Sequence, residues 1–190
     1  MRKLVYYIGI SIDGYIAGPD DEVDFYPMSD DYLQWMGAEY GDTLPGHVRA
    51  QFGLADAPLT KFDTIVMGRR TYDPALTEGI TSPYPHLTQY IVSRNHQSDD
   101  PSITVIRDDP MAAVSALKAE DSPLDIYLAG GGKLAGQLLP AIDQLIVKTY
   151  PVVAGTGLPA FESTFNPTNF DLDDVKTFSG GNAVLSYSRK

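Results

Sequence analysis

Three short segments place glycine, arginine and hydroxyl residues directly after apolar runs. Val66-Met67 leads into Gly68-Arg69-Arg70-Thr71, Ile91-Val92 into Ser93-Arg94, and Leu128-Ala129 into Gly130-Gly131-Gly132-Lys133 followed by Leu134. Glycines at a strand-to-helix joint leave backbone N–H groups free at the positive end of the helix dipole, which seats an anion. Lys133 adds a cation beside the glycine run, and the Thr71 hydroxyl adds a donor. Arginine can fork a phosphate bidentately, whereas lysine acts as a point charge. A glycine-rich turn by itself is common loop punctuation, and a single arginine is commonly a surface ion pair. Three arginines and two helix starts at one sheet edge fit a diphosphate carrying an additional phosphate, the pattern of NADP rather than NAD.

Composition narrows the remaining choices. A chain of 190 residues fits one domain spanning 1–190, with enough length to bury a core. Its 43% hydrophobic and 21% charged residues are those of a globular chain. The net charge of −11 opposes nucleic-acid binding and obliges any anionic ligand to be held by local groups. With no cysteine, disulfides, cysteine-zinc sites and thiol catalysis are excluded. His47, His86 and His96 lack metal-ligand spacing and are expected at the surface. No stretch approaches a membrane span, and the apolar N-terminal run meets Asp13-Gly14 rather than a cleavage site, so a cytoplasmic protein is expected.

The elements that must carry these groups are readable from pattern. Residues 4–12 are a nearly continuous apolar run, as in a strand covered on both faces. Ser29-Asp30-Asp31 starts a helix with Leu33, Met36 and Tyr40 at helical spacing, and Pro45-Gly46 opens a short one through Phe52. Strands are expected at 64–67, 89–92, 103–106 and 144–153, with a helix after the Asp109-Pro110 cap. Gly180-Gly181-Asn182 separates the two arms of a C-terminal hairpin. The reading is an α/β domain whose mixed, mostly parallel sheet is flanked by helices and ends in an antiparallel hairpin.

In this order the motifs resemble a known fold family. Val66-Met67-Gly68-Arg69-Arg70-Thr71-Tyr72 is similar to the strand-to-helix cofactor motif of dihydrofolate reductases, and Ala129-Gly130-Gly131-Gly132-Lys133 to their glycine turn. A closer resemblance is to the bacterial family that shares this three-layer fold with the riboflavin-pathway pyrimidine reductase. It is carried by Ser11-Ile12-Asp13-Gly14-Tyr15-Ile16-Ala17, by Ile142-Asp143-Gln144-Leu145, and by the run from Tyr150-Pro151 through Gly155-Thr156-Gly157 to Phe161. Most of the chain is covered; only residues 20–62 lack a clear counterpart.

The resemblance implies an NADPH-dependent reductase acting on a small-molecule substrate. Gly68, Arg69, Arg70 and Thr71 would hold phosphates, Ser93 and Arg94 the adenosine 2′-phosphate, and Ile16 would touch the nicotinamide. Gly130, Gly131, Gly132, Lys133 and Leu134 would lie against the diphosphate, and the bond matching Gly130–Gly131 is cis in dihydrofolate reductases. The substrate side departs from that pattern. No acid stands in 47–52 and no arginine in 84–89, so folate is not expected. Asp13 is the nearest candidate proton donor by position, though an aspartate before Gly14 also suits a turn. Trp35, Tyr40 and Phe52 could wall a flat heterocycle or pack the core. Three readings stay open: reduction of a C=N or C=O bond in a heterocyclic or sugar-derived compound, a riboflavin-pathway pyrimidine reductase, and a non-catalytic NADP-binding or regulatory module. Apolar strands near the C-terminus would also suit a sheet-edge homodimer.

Overall fold

The computed structural model describes residues 1–190. Strands β1 (Leu4–Ile10) and β2 (Tyr15–Ala17) precede helices α1 (Asp30–Tyr40) and α2 (Gly46–Gln51). Strand β3 (Phe62–Gly68) runs straight into α3 (Arg69–Thr77), and β4 (Thr88–Val92), β5 (Ile103–Ile106) and α4 (Pro110–Ala119) follow. Strand β6 (Asp125–Leu128) leads to α5 (Gly132–Leu138), then β7 (Gln144–Thr149), β8 (Leu158–Pro159), β9 (Phe170–Thr177) and β10 (Ala183–Arg189).

Eight strands form one sheet in the order β5-β4-β3-β6-β1-β7-β10-β9, and β2 pairs with β8 separately. The first six are parallel; β10 runs antiparallel to both β7 and β9. Alternation along β1 explains its unbroken apolar run. Val5 and Tyr7 join a core that also holds Tyr32 of α1 and Tyr72 of α3. Leu4 and Tyr6 join the opposite core, with Val114 and Leu117 of α4 and Leu134 and Leu138 of α5. Helices therefore cover both faces, giving three layers.

The ends of elements have local causes. Asp109 caps α4 by accepting the Ala112 amide at 3.0 Å, with Pro110 at the first helical position. The first strand stops at Ile10, short of the expected Ile12, because the Ser11 amide turns to the Tyr15 carbonyl at 2.9 Å and the Gly14 amide to the Ser11 carbonyl at 3.0 Å. Strand β7 stops at Thr149, short of the expected 153, ahead of Pro151, which has no amide to donate to a ladder.

Residues 41–62, the second half of the stretch without a sequence counterpart, are tied together by a buried charge. Asp42 is 3% exposed, and its Oδ2 accepts the amides of Thr60, Lys61 and Phe62 at 2.9, 2.7 and 3.1 Å. Arg49, equally buried, approaches Asp42 Oδ1 at 3.7 Å and donates to the carbonyls of Gly41 and Ala57. Removing one member of such a group strands the other charge in the interior. Asp42→Ala should lower unfolding free energy by about 3 kcal/mol, read as a shifted urea midpoint with the slope retained.

Candidate functional site

Parallel order brings the carboxyl ends of β4, β3 and β6 side by side, so the three arginine- and glycine-bearing segments share one edge. The Ala129 amide donates to the Val66 carbonyl at 2.9 Å, and the Gly68 amide to the Gly130 carbonyl at 3.3 Å. That second bond sets the start of α3 beside the start of α5. Gly68 and Gly131 are the N-caps of these helices, and neither helix has a side-chain cap. The first residues of both helices line one cleft of about 540 Å³. Gly130 has φ +93, a conformation glycine adopts readily, and the Gly130–Gly131 peptide bond is cis, as the resemblance implied.

Gly132 lets the far wall come close. A Cβ there would collide with the Pro159 carbonyl oxygen, and the Glu162 amide donates to the Gly132 carbonyl at 2.9 Å. The segment carrying Leu158 and Pro159 is thus drawn against α5. Ile8, Ile16, Ala17, Val23 and Leu158 supply apolar lining.

The cations of the cleft are already engaged. Arg70 donates to Asp21 Oδ2 through Nη2 at 2.7 Å and Nε at 3.2 Å. Lys133 lies 3.8 Å from Glu162, and Arg69 pairs with Asp73 one turn along α3. The Arg70–Asp21 and Lys133–Glu162 pairs are solvent-exposed, with side chains between 47% and 83% accessible, so each contributes little and exchanges readily for another anion. Asp21 and Glu162 both line the cleft, so a bound phosphate would compete with them directly.

Ile16, Gly68, Arg69, Arg70, Thr71, Gly130, Gly131, Gly132, Lys133 and Leu134 all line this cleft. Ser93 and Arg94 do not, although Val92 just before them does. Arg94 is exposed and its carbonyl accepts from Arg107 at 3.4 Å, while the Ser93 hydroxyl accepts the His96 amide at 3.2 Å. His96 corrects the expectation of surface histidines. It is 7% exposed, with Nδ1 2.8 Å from Arg69 Nη1. Nothing in local spacing marks it, because its partner is 27 residues away.

Asp13 also takes a different role from the proton donor its position suggested. It lies outside the cleft lining. Its Oδ1 accepts the Ser11 hydroxyl at 2.6 Å and the Ala154 amide at 2.9 Å, and its Oδ2 the Gly155 amide at 2.7 Å. The Ser11 hydroxyl first, and the Ala154 amide next, hold its carboxyl below the ordinary carboxylate range, with both oxygens occupied. Asp13 is a clamp between two loops. The aromatic wall is likewise absent from the cleft lining. Tyr40 stacks on Tyr7 at 4.7 Å, Trp35 meets Tyr40 and Phe178, and both pack on the core beneath α1, while Phe52 lies 43% exposed beside Gly37.

Residues 2–184 match the RibD C-terminal domain family, and the chain belongs to that family. The uncharacterized proteins YwjB and YyaP of Bacillus subtilis (strain 168) are similar over nearly the whole chain. YwjB is 32% identical across 99% of this chain and 98% of its own; YyaP is 25% identical across 98% and 94%. A provisionally named riboflavin biosynthesis protein from Shewanella sp. PV-4 shares the fold with a TM-score of 0.72 at 21% identity, covering 100% of this chain and 99% of its own. Dihydrofolate reductase from Enterococcus faecalis, solved with NADP(H), gives 0.64 at 12% identity, with 99% and 96% covered. The bifunctional diaminohydroxyphosphoribosylaminopyrimidine deaminase/5-amino-6-(5-phosphoribosylamino)uracil reductase of Thermotoga maritima gives 0.65 at 13% identity; the match takes in all of this chain but 57% of that one. The fold is thus the dihydrofolate reductase-like α/β fold. No helix is long and apolar enough to cross a membrane.

A carboxylate whose folded pKa is depressed stabilises the fold above its unfolded pKa and loses that contribution as pH falls through the folded one. Hydrogen-exchange protection of the Ala154 and Gly155 amides should therefore persist below the ordinary carboxylate range and fall off only as pH nears about 2. Asp13→Ala should remove that protection at neutral pH. Unchanged exchange in the variant would contradict the clamp.

Proposed function

We propose that the cleft holds NADPH and that the protein is a reductase of a C=N or C=O bond in a small heterocyclic or sugar-derived compound. The observation that carries this reading is the pair of uncapped helix starts, at Gly68 and Gly131, opening beside Arg69, Arg70, Thr71 and Lys133 on one cleft. Backbone amides and arginines fit a diphosphate, and the apolar lining from Ile8, Ile16 and Leu158 fits a nicotinamide ring. The cofactor, when bound, supplies the hydride.

The chain's own residues then bind and orient. Amides at 69–71 and 130–133 would face the diphosphate, with Arg70 and Lys133 released from Asp21 and Glu162 to reach it. Ser93 and Arg94, next to the lining residue Val92, would take the adenosine 2′-phosphate together with Arg69. Ile16 would shield the nicotinamide from water, which strengthens every polar contact inside. Asp13 is a clamp outside the cleft lining, and water is the proton source in this reading. Family membership favours, as a narrower alternative, a pyrimidine of the riboflavin pathway as substrate.

Loss of nicotinamide absorbance with a panel of cyclic imines, sugar-derived carbonyl compounds and 5-amino-6-(5-phosphoribosylamino)uracil tests the reaction. Oxidation of NADPH by one of them supports a reductase and identifies its class. Tight NADPH binding without oxidation by any favours a binding module, and absence of binding at micromolar levels refutes the reading. Because Asp21 competes with phosphate for Arg70, Asp21→Ala should tighten NADPH several-fold. Arg70→Ala should weaken it about tenfold, the equivalent of one charge-assisted hydrogen bond. Fluorescence titration reads both changes.

A further inference from the structure

Arg69 reaches the cleft with a side chain 41% accessible, and long exposed arginines ordinarily sample many rotamers. This one is held at two of its three nitrogens. Asp73 takes Nε from the next turn of α3, and His96 Nδ1 stands 2.8 Å from Nη1. A guanidinium can only donate, so Nδ1 must accept and the single ring proton must sit on Nε2. Nη2 is left over for a ligand. The imidazole is itself fixed: its ring meets Tyr72 edge-on at 5.4 Å, and its amide donates to Ser93 Oγ at 3.2 Å. His96 thereby ties the 93–96 loop after β4 to the first residue of α3.

We infer that His96 is a positioning residue, a neutral buried imidazole that sets the Arg69 guanidinium for an anionic group of the bound nucleotide. The inference rests on the cofactor reading above. Charge around the ring favours the neutral form. Burial pushes the His96 pKa below the ordinary histidine range, Arg69 and then Arg107 beside it add to that, and Asp73 opposes them. Its Nε2 is buried without a partner, so the ring touches nothing that would reward a second proton. A protonated ring would lose its acceptor and place a cation against Arg69. The orphaned Nε2–H marks the ring as built around its Nδ1 contact rather than for its own hydrogen bonding.

Two measurements on the full-length chain test this. Imidazole ¹⁵N spectra of the free protein at neutral pH, with the His96 signals assigned by their loss in His96→Asn, should show the Nε2–H tautomer. An Nδ1–H ring or an imidazolium would overturn the proposal without reference to any cofactor. The second is a double-mutant cycle on NADPH affinity, read by fluorescence. His96→Leu should weaken binding about tenfold in the wild-type background and leave it unchanged in Arg69→Ala. His96→Asn, whose Oδ1 can stand where Nδ1 stood, should keep most of the affinity. Equal losses from His96→Leu in both backgrounds would mean that the ring merely packs under α3, and would refute the assignment. Should His96→Leu fail to fold, His96→Asn and the tautomer still decide. Wild-type protein that does not bind NADPH refutes the cofactor reading itself; wild-type binding with additive losses refutes only the role of His96.

Discussion

One hydrogen bond, from the Gly68 amide to the Gly130 carbonyl, joins the two halves of the candidate site. It can form because β3 and β6 are parallel neighbours in register, with Val66 opposite Leu128 and Gly68 and Gly130 each two residues further on. Once it forms, α3 and α5 begin side by side, and two helix dipoles converge on one cleft. Further along, Gly132 admits the Pro159 carbonyl where a side chain would exclude it. The glycine run is less a flexible linker than a set of places where backbone must meet backbone.

Electrostatics follow from this geometry. In a chain of net charge −11, cations gathered at one edge find carboxylates of their own. Asp21 and Glu162 come from loops beyond the sheet and pair with Arg70 and Lys133 across exposed space. Asp73 and His96 instead hold Arg69 from its own helix and from the loop beside it. The first kind of pair opens at little cost when an anion arrives. The second fixes an arginine in advance, which reduces the ordering entropy that binding must overcome. The cleft thus combines cations that exchange partners with one held in place.

Much of this was legible in sequence because it is local. The apolar run of β1, the Asp109-Pro110 cap and the order of the three strand ends are all written in consecutive residues, and the resemblance followed from them. What stayed hidden depends on contacts across the chain. Asp13 read as a candidate donor or a turn residue, and neither reading foresaw the Ala154 and Gly155 amides, 141 and 142 residues away, that it holds. His96 looked like surface until Arg69 and Tyr72 closed over it. Asp42 and Arg49 organise residues 41–62 through backbone groups that carry no side-chain signature. Local pattern could bring the glycine and arginine segments to one sheet edge but could not show which acids already pair with their cations.

The edge where β3 and β6 end, with its two helix starts, is the proposed nucleotide cradle. Amide spectra of ¹⁵N-labelled protein titrated with NADPH test it most directly. Shifts should concentrate at residues 68–71 and 130–134, with Asp21 and Glu162 moving as their partners are taken and the outer strand β9 unaffected. NADPH that leaves the amides at 68–71 and 130–134 unmoved, or that perturbs β9 instead, would contradict it.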